Sequence, residues 1–300
     1  MHVLRVRHLT RYRYARPVRF GEHVLMLRPR DDADQRVIVE RMVITPEPRD
    51  LRLTQDGDGN WVALAQFEGA AGELCIESEV QVERWPALES PEAINHPDPP
   101  GALDRATDDD PDGQVARWAL GFLPCANTQP DFRTLAAITR TVHADFSYRR
   151  RLEHGVHPAW RTLQLRSGAC RDYAVLLIQA ARALGFKARF ASGYVHSPGT
   201  GGEQRRGGGH THAWANIFVP GQGWVDFDAT SGRVGCHGLV RVAVADHPTQ
   251  AIPIQGVYFG GADDFLGMDV EVEVEHAASP NLVGGASEPQ RLPRVAFNTA

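Results

Sequence analysis

Apolar and polar positions alternate along the first strand-like stretch of the chain. Leu4, Val6, Thr10, Tyr12 and Tyr14 fall on one face, and Arg5, Arg7, Arg11 and Arg13 fall on the other. A period of two predicts a strand with one face buried. A second apolar run covers residues 37–45. Asp56-Gly57-Asp58-Gly59-Asn60 reads as a hairpin turn, because Gly and Asn tolerate a positive φ. Leu74, Ile76, Val80 and Val82 then alternate with Cys75, Glu77, Glu79 and Gln81. These elements predict a small antiparallel β-domain over residues 1–85.

Residues 86–111 are rich in Pro and Asp and lack periodicity, which predicts a linker. Helical patterns follow over 112–122 and 130–143. Pro130 suits a first-turn position there, and Asp131 suits the positive end of the macrodipole. A third helix is predicted over 170–184. Ala174, Leu177, Ile178 and Ala181 form its stripe, and Gly185 supplies the stop. Val175, Leu176, Ala180 and Ala183 widen that stripe nearly all round, so this helix should be buried. Strands are predicted over 188–195, 211–219 and 224–229, the last two joined by the turn Pro220-Gly221-Gln222-Gly223. A buried helix on an antiparallel sheet makes the fold α+β. Its core spans 112–246. An extension over 247–300 carries one more half-buried strand at 268–275, where Val270, Val272 and Val274 alternate with Glu271, Glu273 and Glu275.

Composition narrows the classes. With 300 residues, 42% of them hydrophobic, the chain can bury a sizeable core. A net charge of −5 with dispersed basic residues argues against a nucleic-acid surface. No apolar run approaches the roughly 20 residues needed to span a bilayer. The N-terminus reads as a strand rather than a signal peptide, which predicts a cytoplasmic protein without a membrane partner. Cys75, Cys125, Cys170 and Cys236 are scattered and form no CxxC pair, so free thiols are expected.

Cys170 carries the chemistry. It follows Ser167-Gly168-Ala169 and opens the predicted buried helix, where unpaired backbone N–H groups favour a thiolate. Arg171 adds positive charge beside it. The small Gly168 and Ala169 leave room for a carbonyl, and the backbone N–H of Cys170 can serve as an oxyanion donor. His212 lies inside an apolar strand and can exchange the thiol proton. His210, on the same strand face, is a rival base at the end of a Gly-rich loop over 196–209, which could act as a lid. Asp228, in the next strand, can fix the imidazole tautomer, and Asp226 has the same facing. A zinc site from Cys170, His210, His212 and Asp228 fits no established ligand spacing. Neither a metal nor a cofactor is called for.

These residues resemble the transglutaminase-like superfamily, which shares papain-type cysteine chemistry. Residues 146–232 carry the resemblance, through Gly168-Ala169-Cys170-Arg171-Asp172, His212-Ala213-Trp214, and Phe227-Asp228-Ala229-Thr230 after Gly221-Gln222-Gly223-Trp224. Residues 8–18 and 25–30 resemble the N-terminal β-region of the bacterial branch. The resemblance implies a transglutaminase-like (papain-like) core with Cys170, His212 and Asp228 as catalytic residues, preferred over His210 and Asp226. Trp214, Asp172 and Arg171 are implied as supporting or substrate-binding residues. Arg171 stands where Gln is more usual, and Asn216 where an acidic residue is common. Gln164, six residues before the cysteine, is a candidate oxyanion donor on papain-like spacing.

The implied activity is acyl transfer through a thioester, most readily hydrolysis of peptide or amide bonds. The expected partner is a peptide or protein bearing an amide or glutamine side chain. Isopeptide cross-linking as a protein-glutamine gamma-glutamyltransferase is the first alternative. A non-catalytic binding module retaining the fold is the second.

Overall fold

The computed structural model describes residues 2–85, 110, 112–125, 128–151, 153, 155–196, 210–235 and 238–277. Five strands open the chain: β1 (His2–Leu25), β2 (Gln35–Thr45), β3 (Asp50–Gln55), β4 (Trp61–Gln66) and β5 (Ala71–Arg84). Next come α1 (Gln114–Leu120), α2 (Phe132–Asp145), β6 (Ser147–Tyr148), α3 (Ala159–Leu165), β7 (Ser167–Gly168) and α4 (Cys170–Ala183). The remaining strands are β8 (Ala188–Val195), β9 (His212–Val219), β10 (Gly223–Asp228), β11 (Arg233–Val234), β12 (Leu239–Ala245), β13 (Ile254–Phe259) and β14 (Phe265–Ala277).

The first sheet runs β2-β5-β1-β4-β3, with β13 and β14 also paired to β1. β1 is long enough to serve two sets of partners. Its first half lies between β5 and β14, and its second half pairs with β4 and β13. The alternation read in the sequence holds: Leu4, Val6, Thr10 and Tyr14 are buried, while Arg5, Arg7 and Arg13 face water. Arg5 meets Glu79 and Arg13 meets Asp269 at 2.7 Å across the strands. The Asp56–Asn60 turn forms as expected, with Gly59 at φ 76 and Asp56 accepting from the Asn60 backbone.

The second sheet is antiparallel, in the order β11-β10-β9-β8-β12. One face of it packs on α4. Ala213, Ala215, Ile217 and Phe227 share a core with Leu176, Leu177, Ile178 and Ala181. Burying each large apolar side chain contributes roughly 1.5–3 kcal/mol, so this layer holds α4 in place. Ala183 is exposed and Val175 half-buried, so the helix keeps a narrow wet edge that the sequence pattern did not indicate. Gly185, at φ 89, ends it. At α2 the cap differs from expectation by one position. Asp131 is itself the N-cap, accepting from the Thr134 N–H at 3.0 Å, and Pro130 precedes the helix.

The two sheets are joined by apolar and ionic contacts. Leu4, Val6, Val80 and Val82 belong to the same core as α4. Asn60 both donates to and accepts from the backbone of Val244. Beside it lies a buried ion network. Arg241 of β12 meets Asp34, Asp32 at 3.3 Å and Asp226 at 3.2 Å, while Arg84 of β5 meets Asp34 at 3.3 Å. Gln35 donates to the Arg241 carbonyl and accepts from its N–H. Burial opposes the Arg241 charge, but Asp226, Asp34 and Asp32 outweigh it and raise its pKa.

Candidate active site

Cys170 is the first residue of α4, after an extended N-cap at Ala169. Three local features set this start. The short β6 and β7 pair in parallel, with Tyr148 opposite Gly168. The Arg149 N–H then donates to the Gly168 carbonyl at 2.9 Å. Asp172, wholly buried at the third helical position, accepts from the Ala169 N–H at 2.9 Å through Oδ2. Its Oδ1 accepts from Arg151 at 2.7 Å and from the His157 N–H at 2.8 Å. Gly168 is required by space, since a Cβ there would lie 2.8 Å from the Asp172 Cβ.

His212 opens β9 and is buried. Its Nε2 lies 3.1 Å from Asp228 Oδ2, and the two form a buried ion pair. The Cys170 thiol is the second group acting on the ring. The structure therefore brings Cys170, His212 and Asp228 together. Burial lowers the imidazole pKa, but Asp228 and then Cys170 outweigh it, and the result is raised to about 10. Burial likewise pushes the Asp228 carboxyl up. His212, Ser231 and the Thr230 N–H outweigh that and hold it below the usual carboxylate range. A charged imidazole beside a charged carboxylate can donate a proton to a leaving amine.

The rival residues are occupied elsewhere. Asp226 shares the facing of Asp228, as alternation required, but it is bound by Arg241 and accepts from Asn216 at 2.7 Å. Asn216 in turn accepts from Arg189 at 2.9 Å. His210 bonds to the Val270 backbone, and burial and Arg150 lower its pKa. Among the described residues, no group of three or more His, Cys, Asp or Glu side chains is arranged to hold a metal ion. Residues 197–209 of the Gly-rich loop lie outside the described residues.

The supporting residues divide. Trp214 is buried and its ring stacks with His212, with centroids 5.9 Å apart and planes at 30°. Arg171 donates to the carbonyls of Gly155, Glu153 and Arg151, at 2.7, 2.6 and 3.2 Å, and so orders the loop before α3. Gln164 is exposed on α3 and donates to Gln114 of α1 at 3.1 Å, so its amide is engaged away from the triad. Spacing to the cysteine could not reveal this, because it depends on how α1 and α3 pack.

Four further groups complete the surroundings. The Ser231 hydroxyl donates to Asp228 Oδ2 at 2.6 Å, and the Thr230 N–H donates to Oδ1 at 2.9 Å. His143 of α2 bonds the Thr230 carbonyl through Nδ1 at 2.9 Å. The Tyr148 phenol feels Cys170 electrostatically, and burial, first, and that thiol raise its pKa to about 12. The Thr230 N–H had a legible signal, since an Asp side chain commonly bonds the backbone two residues on. Tyr148 and His143 had none, because they come from other elements.

Residues 4–83 match the family model of the bacterial transglutaminase-like N-terminal region, and residues 124–229 match that of the transglutaminase-like superfamily. An uncharacterised protein of Mycobacterium tuberculosis strain H37Rv is 28% identical over 297 residues, covering 91% of this chain and 92% of its own. One from Mycobacterium leprae is 27% identical over 288 residues, covering 92% of this chain and 99% of its own. A solved structure from Cytophaga hutchinsonii, provisionally described as a cysteine protease, matches with a TM-score of 0.67. Its identity is 20%, over 93% of this chain and 91% of that one, and the likeness is one of fold.

Proposed function

We propose that this chain, which belongs to the transglutaminase-like superfamily, hydrolyses peptide or amide bonds through Cys170, His212 and Asp228. The observation that carries the reading is the meeting of a helix-start cysteine with a buried His212–Asp228 ion pair. His212, already protonated, holds the proton of the Cys170 thiol, so the sulfur attacks the carbonyl as a thiolate, and the backbone N–H of Cys170 steadies the oxyanion. The C–N bond breaks, His212 returns the proton to the departing amine, and a thioester remains. Water then adds, giving its proton to His212, and the acid leaves as the thiol is restored. Asp228 keeps the imidazole oriented and supports its positive charge. A lysine amine in place of water would give an isopeptide bond from the same thioester. The free thiols of Cys75 and Cys170 support a cytoplasmic location, which cell fractionation tests.

The test compares alkylation of Cys170 by iodoacetamide in the wild type and in His212→Ala, mapped by peptide mass spectrometry from pH 5 to 9. Cys170 should react faster than the exposed Cys125 near pH 6, and the variant should lose about tenfold or more of that rate. Cys170→Ala should fold and show no turnover on peptide amides. A Cys170 profile indifferent to His212, or turnover retained by Cys170→Ala, overturns the reading.

A further inference from the structure

The approach to Cys170 carries an excess of positive charge that the proposed chemistry leaves unused. Arg149, Arg150 and Arg151 follow β6 in sequence and run beside the start of α4. Arg149 is tied by its N–H to the Gly168 carbonyl at 2.9 Å. Arg151 is tied by its guanidinium to Asp172 at 2.7 Å. These two anchors bracket Cys170 in the sequence, so Arg150, held between them, lies alongside the nucleophile. Its side chain is exposed and makes no hydrogen bond or ion pair with a described residue.

Arg150 acts electrostatically on the Tyr148 phenol and on the His210 imidazole, and Cys170 acts on that same phenol. Among the described residues, the nearby acidic groups are committed elsewhere. Asp172 is buried under Arg151, and Glu153 lies 3.7 Å from Arg151. On β14, Glu271 and Glu273 act on Arg7. Arg171 adds a further charge that is bonded to backbone carbonyls and not to a carboxylate. An unpaired guanidinium beside a nucleophile, with its own acids spent, is a ready site for a carboxylate.

We propose that Arg150 is a specificity residue that binds a carboxylate of the acyl donor, so that the enzyme prefers acidic peptide substrates. This rests on Cys170 being the nucleophile. Arg150 touches neither His212 nor Asp228 in the proposed mechanism, and its replacement leaves the triad in place.

Two small alkylating agents of opposite character test this directly. Iodoacetate is an anion and iodoacetamide is neutral, and both report on the Cys170 sulfur alone when the adduct is mapped by mass spectrometry. The ratio of iodoacetate to iodoacetamide rates at Cys170 should exceed the ratio at the exposed Cys125 in the same chain. It should fall about two- to fivefold in Arg150→Gln, the range expected of one solvent-facing charge, and further in Arg150→Glu. Arg150→Lys should keep most of it. Added salt should lower the wild-type ratio and leave the iodoacetamide rate alone. A ratio unchanged by Arg150→Gln and by Arg150→Glu overturns the proposal. The iodoacetamide rate in His212→Ala is read separately, so loss of the nucleophile assignment and loss of the acidic preference are told apart.

Discussion

Ser231 places its hydroxyl 2.6 Å from the Asp228 oxygen that faces His212, so one carboxylate oxygen carries both contacts. A hydrogen bond to a charged group contributes about 1.5–3 kcal/mol. Removing it weakens the support that Asp228 gives the imidazolium. Ser231→Ala should therefore lower kcat/KM about tenfold or more. It should also move the alkaline limb of the pH–rate profile to lower pH, since His212 then loses its proton more easily. Ser231→Thr should restore the profile. A rate loss with an unmoved limb would show that Ser231 acts only on local packing.

The His212–Asp228 pair also ties stability to pH. His212 has a folded pKa raised to about 10, so its contribution is complete below its unfolded value near 6.5 and is lost as pH rises toward 10. Asp228 is depressed, so its contribution is present above the ordinary carboxylate range and is lost as pH falls through the folded value. Asp228→Asn should therefore be destabilised most near pH 5–6, and the gap to wild type should close toward pH 10. One proton limits the slope to about 1.4 kcal/mol per pH unit. Urea melts of both proteins across this range check it, and a gap that widens above pH 7 contradicts it.

Gly168 and Asp172 are matched in shape. A methyl at 168 would sit 2.8 Å from the Asp172 Cβ, displacing the side chain that caps α4. Gly168→Ala should cost about 1–3 kcal/mol and slow alkylation of Cys170 while leaving that of Cys125 unchanged. Equal stability and equal thiol rates would show that the helix start adjusts freely.

The buried network between the sheets makes a different prediction. Asp34 serves both Arg241 and Arg84. Removing one member of a buried charge set strands its partners, at about 3–5 kcal/mol. Asp34→Ala should lose that much in denaturant unfolding, although it lies outside the active site. A loss under about 1 kcal/mol would mean that water reaches both guanidinium groups.

The sequence made some of this legible for definite reasons. Period-two alternation in β1, β5 and β14 survives because each strand has one wet face, and Gly at 59, 221 and 223 marks turns that need positive φ. Cys170, His212 and Asp228 were legible through short motifs on separate elements. Other features depend on partners far along the chain. Arg241 and Asp34 meet across more than two hundred positions. The two-residue strands β6 and β7 are too short for any period. The bonds of Arg171 are illegible because its acceptors are backbone carbonyls, which every residue carries. The Gln164–Gln114 bond is illegible for a related reason: Gln114 lies on a helix whose packing the local sequence does not encode.

The pairing of β1 with β14 puts Val3 opposite Ala277. A ribosome making this chain completes β1 and β5 early, at about 5–20 residues per second, and reaches β14 on the order of ten seconds or more later. Through that interval the inner flank of β1 has unpaired N–H and C=O groups, a template for any extended segment nearby. Until β14 is made, the nascent protein is thus prone to wrong partners, and chain termination short of β14 would release it in that state.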